Sequence, residues 1–289
     1  MLEFVFSRKN PEAPVAYASF EAMHTVLEMV LVLPDDLLAK QIAEQVYRLI
    51  KELDGLFNRF DANSEIGMFN SRKKQICPIS DKRVYMLLDY CEAYRKRTLG
   101  YFDITVQSRY ESEHPATPYL LDERTRTISF GNSHTQLDLG GIAKGYALEE
   151  IRQLLASYSI GRALVNFGNS SVLAIGTHPY GAYWPVAVEL VAQSGVSACN
   201  FELADNALSV SGLPPQKKRH IKNPLTNEYV AAKELIAVKG KSPMAAEALS
   251  TALYAAHGSD CPRIMDNYGG YEAYAIISGK GTETKMIKI

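Results

Sequence analysis

Short apolar segments joined in pairs by tight turns are the feature that most limits how this chain of 289 residues can fold. The clearest pair is RALVNFGNSSVLAIG (162–176), where two segments rich in apolar and β-branched residues flank a Gly-Asn turn, as in a β-hairpin. Further strands are predicted in HTVLEMVLVL (24–33), YWPVAVELV (183–191), CNFELADNALSVSG (199–212), EYVAAKELIAVKG (228–240) and the hairpin segment YEAYAIISGKGTETKMI (271–287). Because hairpins pair antiparallel strands, the sequence predicts an α+β fold with mostly antiparallel sheets and inserted helices, not a doubly wound parallel sheet.

Segments with apolar residues at helical spacing lie between groups of these strands. The longest runs from 35 to 60, begins with a capping Asp and repeats apolar residues every three or four positions, which predicts an amphipathic helix. Local patterns also predict helices at 81–98, 141–159 and 243–258, the last stopping at Gly258, a helical turn after Ser64, two short strands within 127–140 and a strand or turn at 100–108. No linker of low complexity divides the chain, so we expect one domain over residues 1–289, in which two lobes would pack around a common site.

The charge balance and the cysteines exclude several classes of protein. Lys and Arg number 31 against 32 Asp and Glu, which argues against a nucleic-acid-binding or membrane-surface protein. The four cysteines are scattered without a C-x-x-C pair, so a zinc site of the usual spacing is not expected. No apolar run is long enough for membrane insertion and no signal peptide is visible, so we expect a cytoplasmic protein, or a periplasmic one if a leader precedes Met1 in nature.

The stretch LDLGGIAKGYALEE (137–150) combines three glycines, a lysine and acidic residues at the start of a predicted helix. Glycines let another group approach the backbone closely, free N–H groups at a helix N-terminus favour an anion, and the Lys144 ammonium neutralises phosphate charge. The spacing matches neither a Walker A loop nor a dinucleotide-binding fingerprint. Two interpretations stay open: a phosphate-binding helix start, or a strand–turn–helix junction whose glycines serve packing alone.

Glu247 and Thr251 lie four residues apart in the predicted helix at 243–258 and therefore share a face. A carboxylate and a hydroxyl oxygen side by side suit a hard cation such as Mg²⁺. The alternative is an acid and a threonine on a solvent-exposed face. The neighbouring residues are nearly all Ala and Leu, which predicts a buried helix, and a buried Glu needs a partner.

Three more side chains are candidates for chemistry. His220 follows a loop that contains glycine and proline, where an imidazole would act as a general base near neutral pH; the alternative is an ordinary histidine of a surface loop. Asp103 and Asp138 each interrupt an apolar segment just before a turn. A carboxylate in that place either binds a ligand or caps the turn.

The order of these stretches along the chain resembles that of the ApbE-type FAD:protein FMN transferases. The resemblance is carried by Met23-His24-Thr25, FDANSEIGMFN, FDITV, LDLGGIAKGYALE, ALVNFGNSSVLAIG, SVSG, HIKNPLTN and AEALSTAL. It extends from about Glu21 to the C-terminus, and DLGGIAKGYA followed by HIKNPLTN and AEALSTAL is specific in combination. The chain is thereby identified as a divergent member of this family.

The resemblance implies the ApbE-like, T-fold-like α+β architecture and a magnesium-dependent reaction on FAD. Such enzymes break the FAD pyrophosphate and pass FMN to a threonine or serine hydroxyl of a target flavoprotein, releasing AMP; some members instead hydrolyse FAD to AMP and FMN. By position, the resemblance assigns the catalytic base to His220 and the metal ligands to the Gly141 carbonyl, Glu247 and Thr251. The flavin contacts that it implies are Met23, Phe60, Phe102, Asp103, Ile104, Asp138, Lys144 and Ile221.

The chain departs from the family pattern at several positions. His24 stands where a glycine is usual, Phe60 where a tyrosine is usual, and Glu247 where an aspartate is usual. Asn169–Ser171 replaces Gly-Gly-Asp, and Asn223 replaces another aspartate. Three functions therefore stay open for a monomer or homodimer: an FMN transferase, an FAD pyrophosphatase, and a non-catalytic protein that binds a flavin or nucleotide on the same fold.

Overall fold

A computed structural model describes residues 1–72, 74–108, 117–189, 197–212, 221–231, 235–278 and 284–289. These residues form fourteen strands and six helices. The strands are β1 (Glu3–Ser7), β2 (Val15–Ala22), β3 (Thr25–Val32), β4 (Ile76–Pro78), β5 (Tyr119–Asp122), β6 (Thr127–Phe130), β7 (Ala163–Phe167), β8 (Ser171–Ile175), β9 (Trp184–Glu189), β10 (Ser197–Leu203), β11 (Ala207–Ser211), β12 (Leu235–Gly240), β13 (Glu272–Ser278) and β14 (Thr284–Lys288). The helices are α1 (Asp36–Phe57), α2 (Glu65–Asn70), α3 (Lys82–Arg97), α4 (Ala143–Ser157), α5 (Pro243–Ala255) and α6 (Cys261–Met265).

Nine strands form one sheet in the order β1-β2-β3-β7-β8-β11-β12-β13-β14, and every neighbouring pair is antiparallel. The hairpin predicted at 162–176 is present as β7 and β8, with Val165 opposite Leu173. The remaining strands form a hairpin of β9 and β10 and a three-stranded sheet in the order β4-β6-β5. The predicted antiparallel α+β fold is confirmed.

The large sheet separates two apolar cores, because successive side chains of a strand point to opposite faces. On β3, Leu27, Met29 and Leu31 belong to the larger core, against which α1, α4 and α5 also pack. Val30 and Val32 contact the smaller core, which the β9–β10 hairpin closes. The hairpin and these three helices therefore cover opposite faces of the sheet.

The long helix predicted from the N-terminal half forms as α1 and begins at its expected cap. The Asp35 carboxylate accepts a hydrogen bond from the Leu38 N–H at 3.1 Å, which satisfies one of the backbone donors left free at a helix start. One face of the helix is buried in the larger core, as the apolar spacing requires. Its buried residues are Ala39, Ile42, Ala43, Val46, Ile50, Leu53 and Phe57.

The prediction of a second strand within 127–140 is wrong. β6 ends at Phe130, and the following residues up to the start of α4 form no strand. The reason lies in Asn70, whose side-chain amide accepts from the Leu137 N–H at 2.7 Å and donates to the Leu137 carbonyl at 2.9 Å. A distant side chain thus satisfies the backbone groups that a partner strand would have satisfied.

One helix boundary differs from the prediction, one segment adopts the second of its two predicted structures, and two strands were not predicted. α5 ends at Ala255, three residues before Gly258, because Ala256 is extended (φ −70°, ψ 156°) and terminates the helix. The segment at 100–108, predicted as a strand or turn, forms a turn. Strands β1 and β2 precede the first predicted strand, and their apolar content alone did not identify them.

Two further observations concern the cysteines and the composition of the helices. No disulfide bond forms among the described residues. The helices in the same residues include none with both the length and the apolar composition that crossing a bilayer requires.

Candidate functional site

A cavity of about 1090 Å³ opens beside the junction of α4 and α5. Its wall includes the turn before α4, one face of α5, the β7–β8 turn and parts of β9 and β11. The residues singled out from the sequence that line this cavity are Phe60, Phe102, Asp103, Asp138, Gly141, Lys144, Ile221, Glu247 and Thr251. The fold therefore gathers residues spread over nearly two hundred positions into one concave site, of a size typical for a small-molecule ligand.

Glu247 is a buried acid on α5, with a side chain that is 5% exposed. Its Oε1 forms an ion pair with Lys144 Nζ, and its Oε2 accepts a hydrogen bond from the Gly145 N–H. The exposed-face alternative for this helix is therefore wrong. The partner that a buried carboxylate needs comes from the first turn of α4.

Gly145 allows α4 and α5 to approach each other closely. A Cβ at this position would lie 2.7 Å from both the Met244 Cα and the Pro243 carbonyl oxygen, and 2.9 Å from Glu247 Oε2. Packing is therefore one confirmed purpose of the glycine-rich stretch. The same packing brings the backbone and the ammonium of α4 onto the carboxylate of α5, while phosphate binding at this helix start stays a prediction.

Thr251 lies one turn beyond Glu247 and meets Gly141 in the turn before α4. A Cβ on Gly141 would lie 3.2 Å from Thr251 Oγ1, which measures how closely the two elements approach. Within the described part of the chain, no N–H or O–H group donates to the Gly141 carbonyl. A carboxylate, a hydroxyl and a carbonyl are the oxygen donors that Mg²⁺ and Ca²⁺ prefer, so these three residues fit a hard cation. The described residues contain no group of three or more His, Cys, Asp or Glu side chains arranged for a metal.

Buried serine hydroxyls connect this corner of α5 to strand β11. Ser250 Oγ donates to the Glu247 carbonyl at 3.1 Å and lies 3.0 Å from Ser209 Oγ and 2.8 Å from Ser211 Oγ. Ser211 Oγ in turn lies 3.5 Å from Thr251 Oγ1. The network fixes the rotation of α5 against the sheet, and with it the direction in which Thr251 and Glu247 face.

Asp138 lies in the turn before α4 and has partners on both oxygens. Oδ1 accepts from the Gly140 N–H at 2.9 Å, and Oδ2 forms an ion pair with Arg59. The turn-capping interpretation of this acid is therefore confirmed. Arg59, which the sequence did not single out, adds a cation to the cavity wall.

Phe60 stands at the cavity with 79% of its surface exposed. The Arg59 guanidinium carbon lies 5.2 Å from the ring centroid, and the His24 ring packs edge-on at 6.2 Å. His24 adopts φ 61° in the turn between β2 and β3, a left-handed conformation that favours glycine. An exposed ring held by two neighbours is suited to stacking against a planar ligand.

Asp103 also caps a turn. Its Oδ1 accepts from the Thr105 N–H at 2.7 Å and from Thr105 Oγ1 at 2.6 Å. The preceding Phe102 is buried, and Tyr101, which was not predicted, lines the same cavity. Burial raises the pKa of the Tyr101 hydroxyl, and its hydrogen bond to Asp260 at 2.7 Å raises it further. Tyr101 is therefore a neutral group at physiological pH.

Two predicted flavin contacts lie away from the cavity wall. The Met23 N–H donates to Asp54 Oδ2 at 3.1 Å, and Ile104 is a core residue whose carbonyl accepts from the Asp138 N–H at 2.7 Å. The predicted base, His220, lies outside the described residues. Its neighbour Ile221 lines the cavity.

Several polar and aromatic residues of the wall were not predicted. They belong to the segment after α1, the β7–β8 turn, the SVSG stretch and the residues after His220. These residues are Arg59, Asn166, Asn169, Ser170, Ser209, Ser211, Lys222 and Tyr229. Six of them lie inside the stretches that carry the resemblance, and Arg59 and Tyr229 lie close to such stretches. None was assigned a role, because none has a distinctive spacing of its own.

Known sequences provide independent comparisons. A sequence model of the ApbE family matches residues 23–275. The chain is 22% identical over 211 residues to the FAD:protein FMN transferase of Chlamydia pneumoniae, a match covering 65% of each protein. It is 24% identical over 159 residues to the FAD:protein FMN transferase of Treponema pallidum (strain Nichols), covering 46% of this chain and 44% of that protein. The chain therefore matches less than two thirds of the length of either relative.

Superposition on solved structures identifies proteins with a similar fold. The flavin transferase ApbE from Vibrio cholerae superposes with a TM-score of 0.76 and 19% identity, covering 100% of this chain and 97% of that one. The ApbE protein from Thermotoga maritima superposes with a TM-score of 0.79 and 21% identity, covering 95% and 96%. At these identities the similarity shows a shared fold.

Proposed function

The chain belongs to the ApbE family, and from that premise we propose that it transfers FMN from FAD to a Thr or Ser hydroxyl of an acceptor flavoprotein, releasing AMP. One observation carries the proposal. At the wall of a large cavity, Glu247 on α5 meets the first turn of α4 at Lys144 and Gly145, and Thr251 on the same helix meets Gly141, in the turn just before α4. This arrangement combines hard oxygen donors with a cation at a helix start, as cleavage of a pyrophosphate requires.

The metal chemistry would come from Mg²⁺ held by the Glu247 carboxylate, the Thr251 hydroxyl and the Gly141 carbonyl. When bound there, the ion offsets negative charge on the pyrophosphate. The oxygen donor set and the Gly141 carbonyl, which receives no hydrogen bond from the described residues, support this assignment. Lys144 supplies further positive charge at the same corner of the cavity.

The substrate would lie along the cavity with its flavin toward Phe60 and its pyrophosphate toward the start of α4. Phe60 offers an exposed ring for stacking. Asp138 and Asp103 cap their own turns and also line the cavity, where their carboxylates would accept hydrogen bonds from polar parts of the cofactor in addition to those from the turns. Positioning of this kind lowers the barrier because the acceptor oxygen and the phosphorus are held in line.

His220 would accept the proton of the attacking hydroxyl. The hydroxyl oxygen forms a bond to the phosphorus of the FMN half, the bridging P–O bond breaks, and AMP leaves with the bridging oxygen. The proton then resides on the imidazole, whose ordinary pKa lies close to neutral. Ile221, the next residue in the sequence, lines the cavity, and this supports the assignment of the base to His220.

The decisive experiment incubates the protein with FAD, Mg²⁺ and a flavoprotein known to carry FMN on a threonine. We expect AMP release together with flavin fluorescence that stays on the acceptor in a denaturing gel, and a mass increase of one FMN. AMP and free FMN with no acceptor labelling would identify a pyrophosphatase, and flavin binding without AMP would identify a binding protein. Glu247→Gln should lose the transfer, while Glu44→Gln, on the exposed face of α1, should keep it.

A further inference from the structure

Two cations of the cavity wall, Arg59 and Lys144, are engaged by carboxylates of the protein itself. Arg59 pairs with Asp138 and Lys144 pairs with Glu247. A cavity that receives an anionic pyrophosphate therefore presents its nearest ammonium already bound to an acid. While it neutralises Glu247, the Lys144 ammonium adds no net positive charge for the substrate, and another cation on Glu247 would make that charge available.

The position of the Glu247 carboxylate does not depend on Lys144 alone. The Gly145 N–H holds Oε2, and α5 is anchored to β11 through Ser250. Oε1 is the oxygen that Lys144 contacts. If the ammonium left, the Gly145 N–H would still hold the carboxylate in place, and Oε1 would be available to another cation. Lys144 therefore contributes positive charge to Glu247 more than it fixes the position of the carboxylate.

We propose that Lys144 takes the place of the metal cation on Glu247 in the metal-free protein and releases Glu247 when a divalent cation binds there. The released ammonium, on a flexible four-carbon stem, then points into the cavity as a ligand for the pyrophosphate. This inference rests on the proposed function, because it uses the same cation site and the same dinucleotide.

Electrostatic interactions determine which cation Glu247 holds in the metal-free and the metal-bound protein. A buried carboxylate without a counter-charge is costly, so the metal-free protein needs the ammonium. A dication on Glu247 supplies more charge than the acid requires, and it repels an ammonium at contact distance. Binding of the metal and binding of the anion therefore assist each other, and the assistance is reciprocal.

The first test measures the affinity for Mg²⁺ and Mn²⁺ alone, by calorimetry and by the metal-induced shift in melting temperature, without nucleotide. Lys144→Met removes the competing charge and should bind the metal about tenfold more tightly, within the range usual for coupled sites. Lys40→Met, on the exposed side of α1, is the matched control and should bind as the parent does. Unchanged or weaker binding by Lys144→Met would overturn the inference.

The second test uses the parent protein, so it holds even if Lys144→Met fails to fold. Amine acylation followed by peptide mass spectrometry reports how accessible each lysine is. Labelling of Lys144 should rise severalfold when Mg²⁺ is added, while labelling of Lys40 stays constant. Constant or reduced labelling of Lys144 would show that the ammonium stays on Glu247, which contradicts the exchange.

These measurements separate the inference from the proposed function. One outcome is that metal binding depends on Glu247 while Lys144 labelling stays unchanged. This outcome would refute the exchange but not the proposal of FMN transfer. Absence of any Glu247-dependent metal binding removes both the exchange and the assigned metal site. A protein with no transferase activity that still exposes Lys144 on metal binding would support the exchange and refute the reaction.

Discussion

The Gly145 N–H donates a hydrogen bond to Glu247 Oε2, joining two helices through residues that are 102 positions apart. The bond exists because Gly145 has no side chain at the point where α4 meets the start of α5. One residue therefore sets both the packing distance of the two helices and the orientation of the candidate metal-binding carboxylate.

Gly145→Ala should destabilise the protein by about 1–3 kcal/mol, the usual cost of forcing extra volume into a packed contact. The added methyl would lie 2.7 Å from backbone atoms of Met244 and Pro243, which cannot rotate away. Urea unfolding followed by circular dichroism measures the difference. Gly55→Ala is the matched control: that glycine lies in α1 with nothing within 4 Å of a Cβ, so alanine should stabilise by about 0.5–1 kcal/mol. Equal effects at the two sites would refute the packing argument.

Phe60→Ala should weaken FAD binding about tenfold and leave stability unchanged, because the ring is 79% exposed and its loss removes a stacking surface. Fluorescence titration of FAD measures the dissociation constant, and a thermal melt measures stability. Leu37→Ala removes a side chain that is 81% exposed on α1 and should change neither quantity. FAD affinity equal to that of the parent would exclude Phe60 from the flavin site.

The helices and hairpins could be predicted because their signals are local. α1 shows its buried face in its own apolar spacing, and β7 and β8 show their pairing in the turn between them. The burial of Glu247, and its need for a partner, followed from the apolar residues around it. Periodicity and composition within one segment were sufficient for these features.

The features that could not be predicted depend on contacts between distant segments. The missing strand after β6 is replaced by hydrogen bonds from Asn70, 67 positions away from Leu137. The Arg59–Asp138 pair joins residues 79 positions apart. Polar contacts of this kind have no periodic signature, so only the three-dimensional arrangement reveals which side chain satisfies which backbone group or charge.

Tyr268→Phe should reduce the loss in free energy of unfolding that the parent shows as the pH rises from 10 to 12. Burial raises the pKa of Tyr268 to about 12, against the effect of Arg97, whose guanidinium lies 4.1 Å from the ring centroid. The folded protein therefore keeps this proton between pH 10 and pH 12 while the unfolded chain loses it. The stability that this contributes is fully present below pH 10 and is lost as pH rises through 12, an effect of about 1–3 kcal/mol.

The same variant should be as stable as the parent or slightly more stable at pH 7. The Tyr268 hydroxyl is buried and has no hydrogen-bond partner in the described part of the chain, so its removal leaves no group unsatisfied. Urea unfolding at pH 7, 10, 11 and 12 provides the comparison. Tyr180→Phe, at a tyrosine that is 64% exposed, should follow the parent at every pH, and a Tyr268→Phe curve parallel to the parent would contradict the assignment.

His220→Ala should lower the turnover of FMN transfer by about 10²–10⁴, the usual effect of removing a general base, while FAD binds about as well as to the parent. The reason is that the proposed cation site and Lys144 hold the dinucleotide, whereas the imidazole acts only on the attacking hydroxyl. The next residue in the sequence, Ile221, lines the cavity, and an unperturbed imidazole titrates near the working pH. The rate of the parent should rise with pH through the imidazole pKa, and the variant should lose that rise.

His134→Ala, at an exposed histidine, controls for loss of a surface imidazole and should keep the parent profile. A His220→Ala protein that loses FAD affinity and keeps its turnover number would make His220 a binding residue, and a protein unchanged in both would return it to the surface loop.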